Sequence, residues 1–351
     1  MTGKLDGAST EPRYTIEIDE EGYPLFDGLR VQDEAWTRAL LASFHRRADS
    51  PRRLLAECEG EACWVNAFDA PWVARLAESV ADDVARFRLA GGGLVEVPIQ
   101  DLKVDEWDRL HAIVGPHAIP LVCSRTAQAT LWEAMDEAAL AAFRPGRFRR
   151  TDFLVNERAT WEKVYRDGED GWERGGPHPT LVEAWPRLER SLKELSPSPA
   201  LLVPAAGRAH DAVLFERSGF RVTALDFAED AEREFRALYP TSKLRYERAD
   251  LFEFFSTHPA ASFEGVFDVA ALCAIDPERR AEYLRGLVRL LKPGALYFGV
   301  FYLGTLPGGP PYGMTQWELR EYAREGFDIL EWKWLAPTRG AEGLWAVLRR
   351  R

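Results

Sequence analysis

An α/β domain, its mostly parallel sheet covered by helices on both faces, preceded by a separate α+β domain, is the architecture this sequence predicts. Three observations lead there. The 351 residues, 46% of them hydrophobic, are enough for two packed cores. From about Pro199 the chain alternates regularly between apolar runs (ALLVPA, FRVTALD, KLRYERAD, VFDVAAL, ALYFGVFYL), the first four each followed by a helix-like stretch. A composition break falls at FRPGRFRRTDF, Phe143 to Phe153, where the helix-like WEAMDEAALAAF ends at Pro145-Gly146 and a basic run follows.

The elements follow in chain order. Residues 1–13 are polar and read as a tail. Residues 14–147 mix short β-like runs (YTIEI, ACWVNAF, LVEVPI, IPLVC) with two stretches of helical periodicity, EAWTRALLASFHRR and APWVARLAESVADDVARF. No spaced carboxylate, histidine or cysteine constellation stands out in them. Residues 148–351 hold the α/β domain. Its first strand ends at Val203, and Pro204-Ala205-Ala206-Gly207-Arg208-Ala209-His210-Asp211 turns into a helix. The small residues there let backbone approach a ligand. The second strand ends in Asp226, about twenty residues on, where an acid in a doubly wound fold accepts ribose hydroxyls. Asp250, beside Leu251, ends the third. Either acid also suits a helix N-cap, and His210 and Asp211 suit a first helical turn as well as a ligand contact. Three successive strand ends nevertheless converge on one sheet edge, where such folds bind nucleosides.

Composition excludes several classes. Lys+Arg 45 against Asp+Glu 56 leaves a net charge of −11, which disfavours nucleic acid and anionic membranes as partners. The longest apolar runs fall short of the ~20 residues that span a bilayer, so the expectation is a cytoplasmic protein without membrane contact. Four cysteines make no disulfide framework, and Cys58 with Cys63 lacks the second pair of a zinc site, so no metal is expected. A monomer is the simplest oligomeric expectation.

Residues ~158–351 resemble class I S-adenosylmethionine-dependent methyltransferases, in the branch of thiopurine, thiol and halide methyltransferases. WEKVYRDGEDGWERGGPHPTL resembles the family's cofactor lid, VPAAGRAHD its first glycine motif and VTALDFAEDA its ribose motif. CAIDPERR and LPGGPPY resemble its later signatures. The resemblance implies a doubly wound, Rossmann-like, seven-stranded sheet, with the hairpin FDILEWKWL/LWAVLRR supplying an antiparallel edge strand. It also implies S-adenosylmethionine as methyl donor and S-adenosylhomocysteine as product.

Carried over position by position, it implies that Trp161, Tyr165 and Trp172 close over the cofactor. Ala205 and Gly207 then approach its methionine end, Asp226 holds the ribose, and Asp250, Leu251 and Cys273 border the rest. Aromatic faces suit both a purine and a sulfonium. His178, Asp276 and Tyr312 are candidates for the acceptor side, although each also reads as a loop, turn or packing residue. The family's usual Gly-Cys-Gly is Ala205-Ala206-Gly207 here, followed by Arg208 and Ala209. Tyrosines that line the acceptor site in halide-using members match Val269 and Phe301, so an apolar pocket for a small organic thiol is expected. Two further readings stay open: a non-catalytic S-adenosylmethionine sensor, and a methyltransferase whose peptide or protein substrate is recruited by residues 14–147.

Overall fold

A computed structural model describes residues 12, 14–47, 50–148, 158–168, 170–304, 311–338 and 341–351. The proposed tail is outside this set except for Pro12, as are residues 306–310 of the LPGGPPY segment. The chain divides into two compact units: Met1–Arg149 with Thr315–Trp317, and Arg150–Met314 with Glu318–Arg351.

The first unit is mainly β, with six-, three- and five-stranded sheets around one apolar core. Its described α-helices are Glu34–Ala42, Arg125–Ala134 and Glu137–Ala142, each begun by a side-chain cap from Asp33, Ser124 or Asp136. The helix expected over APWVARLAESVADDVARF is absent. Strands Trp72–Ala74, Leu76–Ala81 and Val84–Arg88 stand in its place, the last two a hairpin in which Ala81 pairs with Val84. The two linking residues, Asp82 and Asp83, take φ of 51° and 60°, the left-handed pair a two-residue hairpin requires. Turn chemistry here overrides a helical spacing that the β-branched and aromatic strand residues also satisfy as alternation.

The second unit runs α1 (Arg158–Asp167), α2 (Pro179–Leu195), β1 (Ala200–Pro204), α3 (His210–Arg217), β2 (Arg221–Asp226), α4 (Glu229–Leu238), β3 (Arg245–Arg248), α5 (Leu251–Thr257), β4 (Phe263–Val269), α6 (Ala271–Ala274), α7 (Arg280–Leu290), β5 (Leu291–Leu303), α8 (Gln316–Arg324), β6 (Phe327–Thr338) and β7 (Ala341–Arg350). One seven-stranded sheet results, in the order β3-β2-β1-β4-β5-β7-β6. The first five strands pair in parallel, and β7 is antiparallel to both β5 and β6, so the antiparallel strand is interior rather than the expected edge strand: the returning arm of the hairpin inserts between β5 and β6, leaving β6 at the edge. All five residues of β1 are buried, as a strand covered on both faces demands.

Alternate residues feed two cores. Leu201, Val203, Phe267, Phe298 and Val347 meet Leu181, Trp185, Leu188 and Leu192 of α2 on one face. Leu202, Val266, Tyr297, Phe301 and Leu348 meet Phe255, Tyr283 and Leu287 on the other. The strand order reverses between β1 and β4. The carboxyl ends of β1, β2 and β4 therefore frame the crevice where open α/β sheets bind ligands.

Candidate functional site

The site is built around the turn after β1. Ala205, Gly207 and Ala209 all lie in the left-handed region, with φ of 48°, 51° and 58°. Three such residues in five fold the backbone tightly enough for successive peptide groups to turn toward the crevice. The Gly207 N–H donates to Asp226 Oδ2 at 2.9 Å, its carbonyl accepts from the Tyr246 hydroxyl at 2.8 Å, and the Ala206 N–H donates to the Leu225 carbonyl at 3.0 Å. Asp226 Oδ1 accepts in turn from the Ala228 N–H at 3.0 Å. Burial pushes the Asp226 carboxyl up against the pull of these backbone donors. Its first task is thus to lock the turn to β2.

A Cβ added at Gly207 would sit 3.0 Å from the Tyr165 hydroxyl. Helix α1 accordingly lies over the turn, with Tyr165 buried against Ala228 and Ala231. Trp172, from the loop after α1, meets Trp161 and Tyr165 edge-on at centroid distances of 5.6 and 6.0 Å. Five residues singled out in the sequence, Trp161, Tyr165, Trp172, Gly207 and Asp226, are thereby brought to one place. Aromatic faces above a tight backbone turn beside a carboxylate suit an adenosine-bearing sulfonium. Asp250 sits at the end of β3, where its carboxylate caps α5 through the Phe252 and Glu253 N–H groups at 2.8 and 3.1 Å, and Leu251 opens that helix.

The remaining candidates separate. His178 caps α2: its Nδ1 accepts the Thr180 N–H at 3.2 Å, and its own backbone N–H donates to Asp211 Oδ1 at 2.7 Å. Burial and the nearby Arg174 charge hold the imidazole neutral, lowering its pKa to about 4, whereas burial lifts Asp211 to about 6. Tyr312 is buried; its N–H donates to the Cys273 carbonyl at 2.7 Å. Asp276 accepts the Glu278 N–H at 2.9 Å and caps the turn Pro277–Arg279. Cys273 is buried in α6, its thiol donating to the Ala270 carbonyl at 3.1 Å and its pKa pushed up to about 12 by burial, so it is a thiol and not a thiolate.

Phe301 is buried in the core on the α7 side of the sheet, against Tyr297, while Val269 and Tyr302 share the opposite face. Strand alternation makes Tyr302, one residue on, the hydroxyl at the end of β5, and it accepts from Arg174 Nη2 at 2.9 Å.

Three supporting residues escaped the sequence reading. Asp268, fully buried at the end of β4, accepts from the Tyr283 and Tyr297 hydroxyls, both at 2.8 Å, and from the Ala271 N–H at 2.9 Å. Arg280 is buried and donates to the Leu272, Tyr312 and Gly313 carbonyls at 3.2, 3.0 and 2.9 Å, fastening the 312–313 loop to α6. Its only trace in the sequence is its place in CAIDPERR. Arg208, which looked like a departure from a glycine pattern, has a full set of acidic partners. Its Nη1 meets Asp170 and, at 2.8 Å, Glu173 Oε2, and its Nε meets Glu234 Oε2 at 2.5 Å. No group of three or more His, Cys, Asp or Glu side chains among the described residues is arranged to hold a metal ion.

The sheet order, the single interior antiparallel strand and the turn pinned to an acid at the switch point define a class I S-adenosylmethionine-dependent methyltransferase. The family described as thiopurine S-methyltransferase (TPMT) matches residues 156–335, half of the chain. The chain belongs to that family. It is 32% identical over 158 residues to thiocyanate methyltransferase 1 of Brassica oleracea, covering 44% of this chain and 67% of that protein. It is 29% identical over 193 residues to a thiopurine S-methyltransferase of Pseudomonas putida (strain GB-1), covering 50% and 87%. Among solved structures, a Burkholderia thailandensis 1,6-didemethyltoxoflavin-N1-methyltransferase matches with a TM-score of 0.44 and 22% identity, over 70% of this chain and 96% of that one.

Proposed function

We propose that the second unit transfers the methyl group of S-adenosylmethionine to the sulfur of a small organic thiol. The observation that carries this is the Gly207 turn, bonded to Asp226 beneath Tyr165, in a chain of this family. On this reading Asp226 holds the ribose, Trp161, Tyr165 and Trp172 cover the cofactor, Ala205 and Gly207 contact its methionine end, and Asp250, Leu251 and Cys273 border the remainder. The cofactor supplies a sulfonium methyl group open to in-line displacement.

The chain's own contribution is positioning and exclusion of water. Aromatic rings close one side, and the two buried cores fix the strand ends on the other. Relatives are named for thiocyanate, thiopurines and thiols, and sulfur acceptors are common to all three. A thiol titrating near ~8.5 needs little assistance to reach the thiolate. Arg174, held by Tyr302, sets a positive charge on this wall that favours it, and His178, kept neutral, adds hydrogen bonding without charge. Residues 14–147 would then form an accessory domain.

Calorimetry with S-adenosylhomocysteine and turnover with small thiols, thiocyanate and halides test this. Binding together with a preference for organic thiols is expected. Absence of binding at millimolar ligand refutes the enzyme reading, and preferred turnover of halides refutes the acceptor class.

A further inference from the structure

Resting on that reading, we propose that Arg208 is a positioning residue: it latches the loop between α1 and α2 over the cofactor turn and so sets the affinity for the adenosyl ligand. The side chain leaves the turn at the position after Gly207 and is largely buried. Its guanidinium meets Asp170 and Glu173 of the loop on one side and Glu234 of α4 on the other. It also lies 5.8 Å from the Tyr165 ring.

The network extends through Glu173. Its Oε1 accepts the Gly175 N–H at 2.5 Å and faces His210 Nε2 at 2.9 Å, and His210 Nδ1 reaches the Tyr239 hydroxyl at 2.5 Å. One cation in the turn thus joins the loop, the start of α3, and Glu234 of α4 with Tyr239 just after that helix.

The loop is also tied at its far end, where Arg174 donates to the Tyr302 hydroxyl and the His178 N–H to Asp211, but Arg208 is the tie that joins it to the cofactor turn. Residues 168 and 170–178 form no helix or strand, and they include Gly168 and Gly175, with φ of 67° and 72°. Trp172, which the loop delivers to the aromatic group, is 43% exposed. An apolar anchor of that kind does not fix a glycine-rich segment by itself, whereas charge-assisted bonds to a planar guanidinium fix both distance and direction. Arg208 faces three carboxylates, Asp170, Glu173 and Glu234, so its removal leaves those charges to repel one another across the closure. That makes the latch electrostatic, and its strength should fall with salt.

The test combines hydrogen exchange across residues 158–176 of the unliganded full chain with calorimetric S-adenosylhomocysteine binding, for Arg208→Ala, Arg208→Lys and the double variant Asp170→Asn/Glu173→Gln. If the latch operates, Arg208→Ala and the double variant each speed exchange in that segment and weaken binding at least tenfold. Combining them weakens it no further, because both cut the same tie, and Arg208→Lys recovers part of the loss. Raising sodium chloride from 50 to 500 mM weakens binding by the wild type but not by Arg208→Ala. Unchanged exchange and affinity in the double variant overturn the latch. So does an Arg208→Ala protein that binds weakly while its loop exchanges at the wild-type rate, because Arg208 then acts on the turn alone. A wild type that binds no S-adenosylhomocysteine refutes the methyltransferase reading instead, and the exchange rates of the unliganded proteins still decide the latch.

Discussion

Gly207→Ala tests the closeness of the lid helix to the cofactor turn. Two costs add. Gly207 has φ of 51°, where a Cβ costs roughly 1–2 kcal/mol. Ala205 and Ala209 already bear that cost at φ of 48° and 58°, so the fold accepts it when nothing else intervenes. At Gly207 the new Cβ also lies 3.0 Å from the Tyr165 hydroxyl, which must retreat by a few tenths of an ångström. Tyr165 is buried against Ala228 and Ala231 and has little freedom to do so, which adds about 1 kcal/mol of overpacking. The sum of ~2–3 kcal/mol corresponds to a fall in Tm of about 4–12 °C for a unit of this size. Differential scanning calorimetry measures it, and S-adenosylhomocysteine affinity should fall by roughly tenfold or more as α1 is displaced. Tyr165→Phe removes the obstructing oxygen, so adding it to Gly207→Ala should return the packing part and leave the backbone part. A Gly207→Ala protein that melts within a degree of the wild type and binds equally well refutes the argument, as does a double variant that recovers nothing.

Two further predictions concern buried charge. In the first unit burial alone would raise Asp105, but hydrogen bonds and charge from His111 and Arg109 outweigh it and bring the carboxyl down to about 2 from an ordinary 3.8. A depressed carboxyl stabilises the fold above its unfolded value and loses that contribution as pH falls, here between about 4 and 2. Asp105→Asn should therefore cost about 2 kcal/mol at pH 7 and almost nothing at pH 2, read from denaturant unfolding at both pH values. Arg280→Met should lower stability by ~3 kcal/mol or more through the loss of three carbonyl partners, and Arg280→Lys should restore little, because one ammonium cannot reach carbonyls on both α6 and the 312–313 loop. Urea unfolding of the two variants measures both effects.

What could be read in advance follows a physical division. Strands buried on both faces announce themselves as continuous apolar runs, and turns that carry acids at their ends announce the edge they share. Hence ALLVP, RVTALD and VFDV indicated the sheet, and Gly207 with Asp226 indicated the site. The 76–88 hairpin was illegible because an apolar residue every third or fourth position satisfies a helix and, once Asp82-Asp83 reverses the chain, a pair of strands equally well. That Tyr302 and not Phe301 shares a face of β5 with Val269 was hidden for a similar reason: a match of positions does not tell which neighbour takes which face, and strand parity does. Arg208, Asp268 and Arg280 could not have been found from local pattern, since apart from the N–H groups of α6 that Asp268 caps, their partners lie between 8 and 38 residues away in sequence.

The place of β7 bears on how this protein is made. It is the last strand in chain order, yet it lies inside the sheet, pairing with β5 from Leu296 to Leu303 and with β6 from Phe327 to Thr338. Until a ribosome has delivered residues through Arg350, β5 presents an open edge and β6 has no sheet to join. The faces of the two apolar cores that receive Leu344, Ala346 and Leu348 on one side and Trp345 and Val347 on the other then stand exposed. Most of the first unit, residues 1–149, precedes this region and is synthesised long before. A nascent chain of this protein should thus pass through a stage with one unit collapsed and the other held open, the stage at which a chaperone would bind it and at which unpaired strands from neighbouring chains would add to each other.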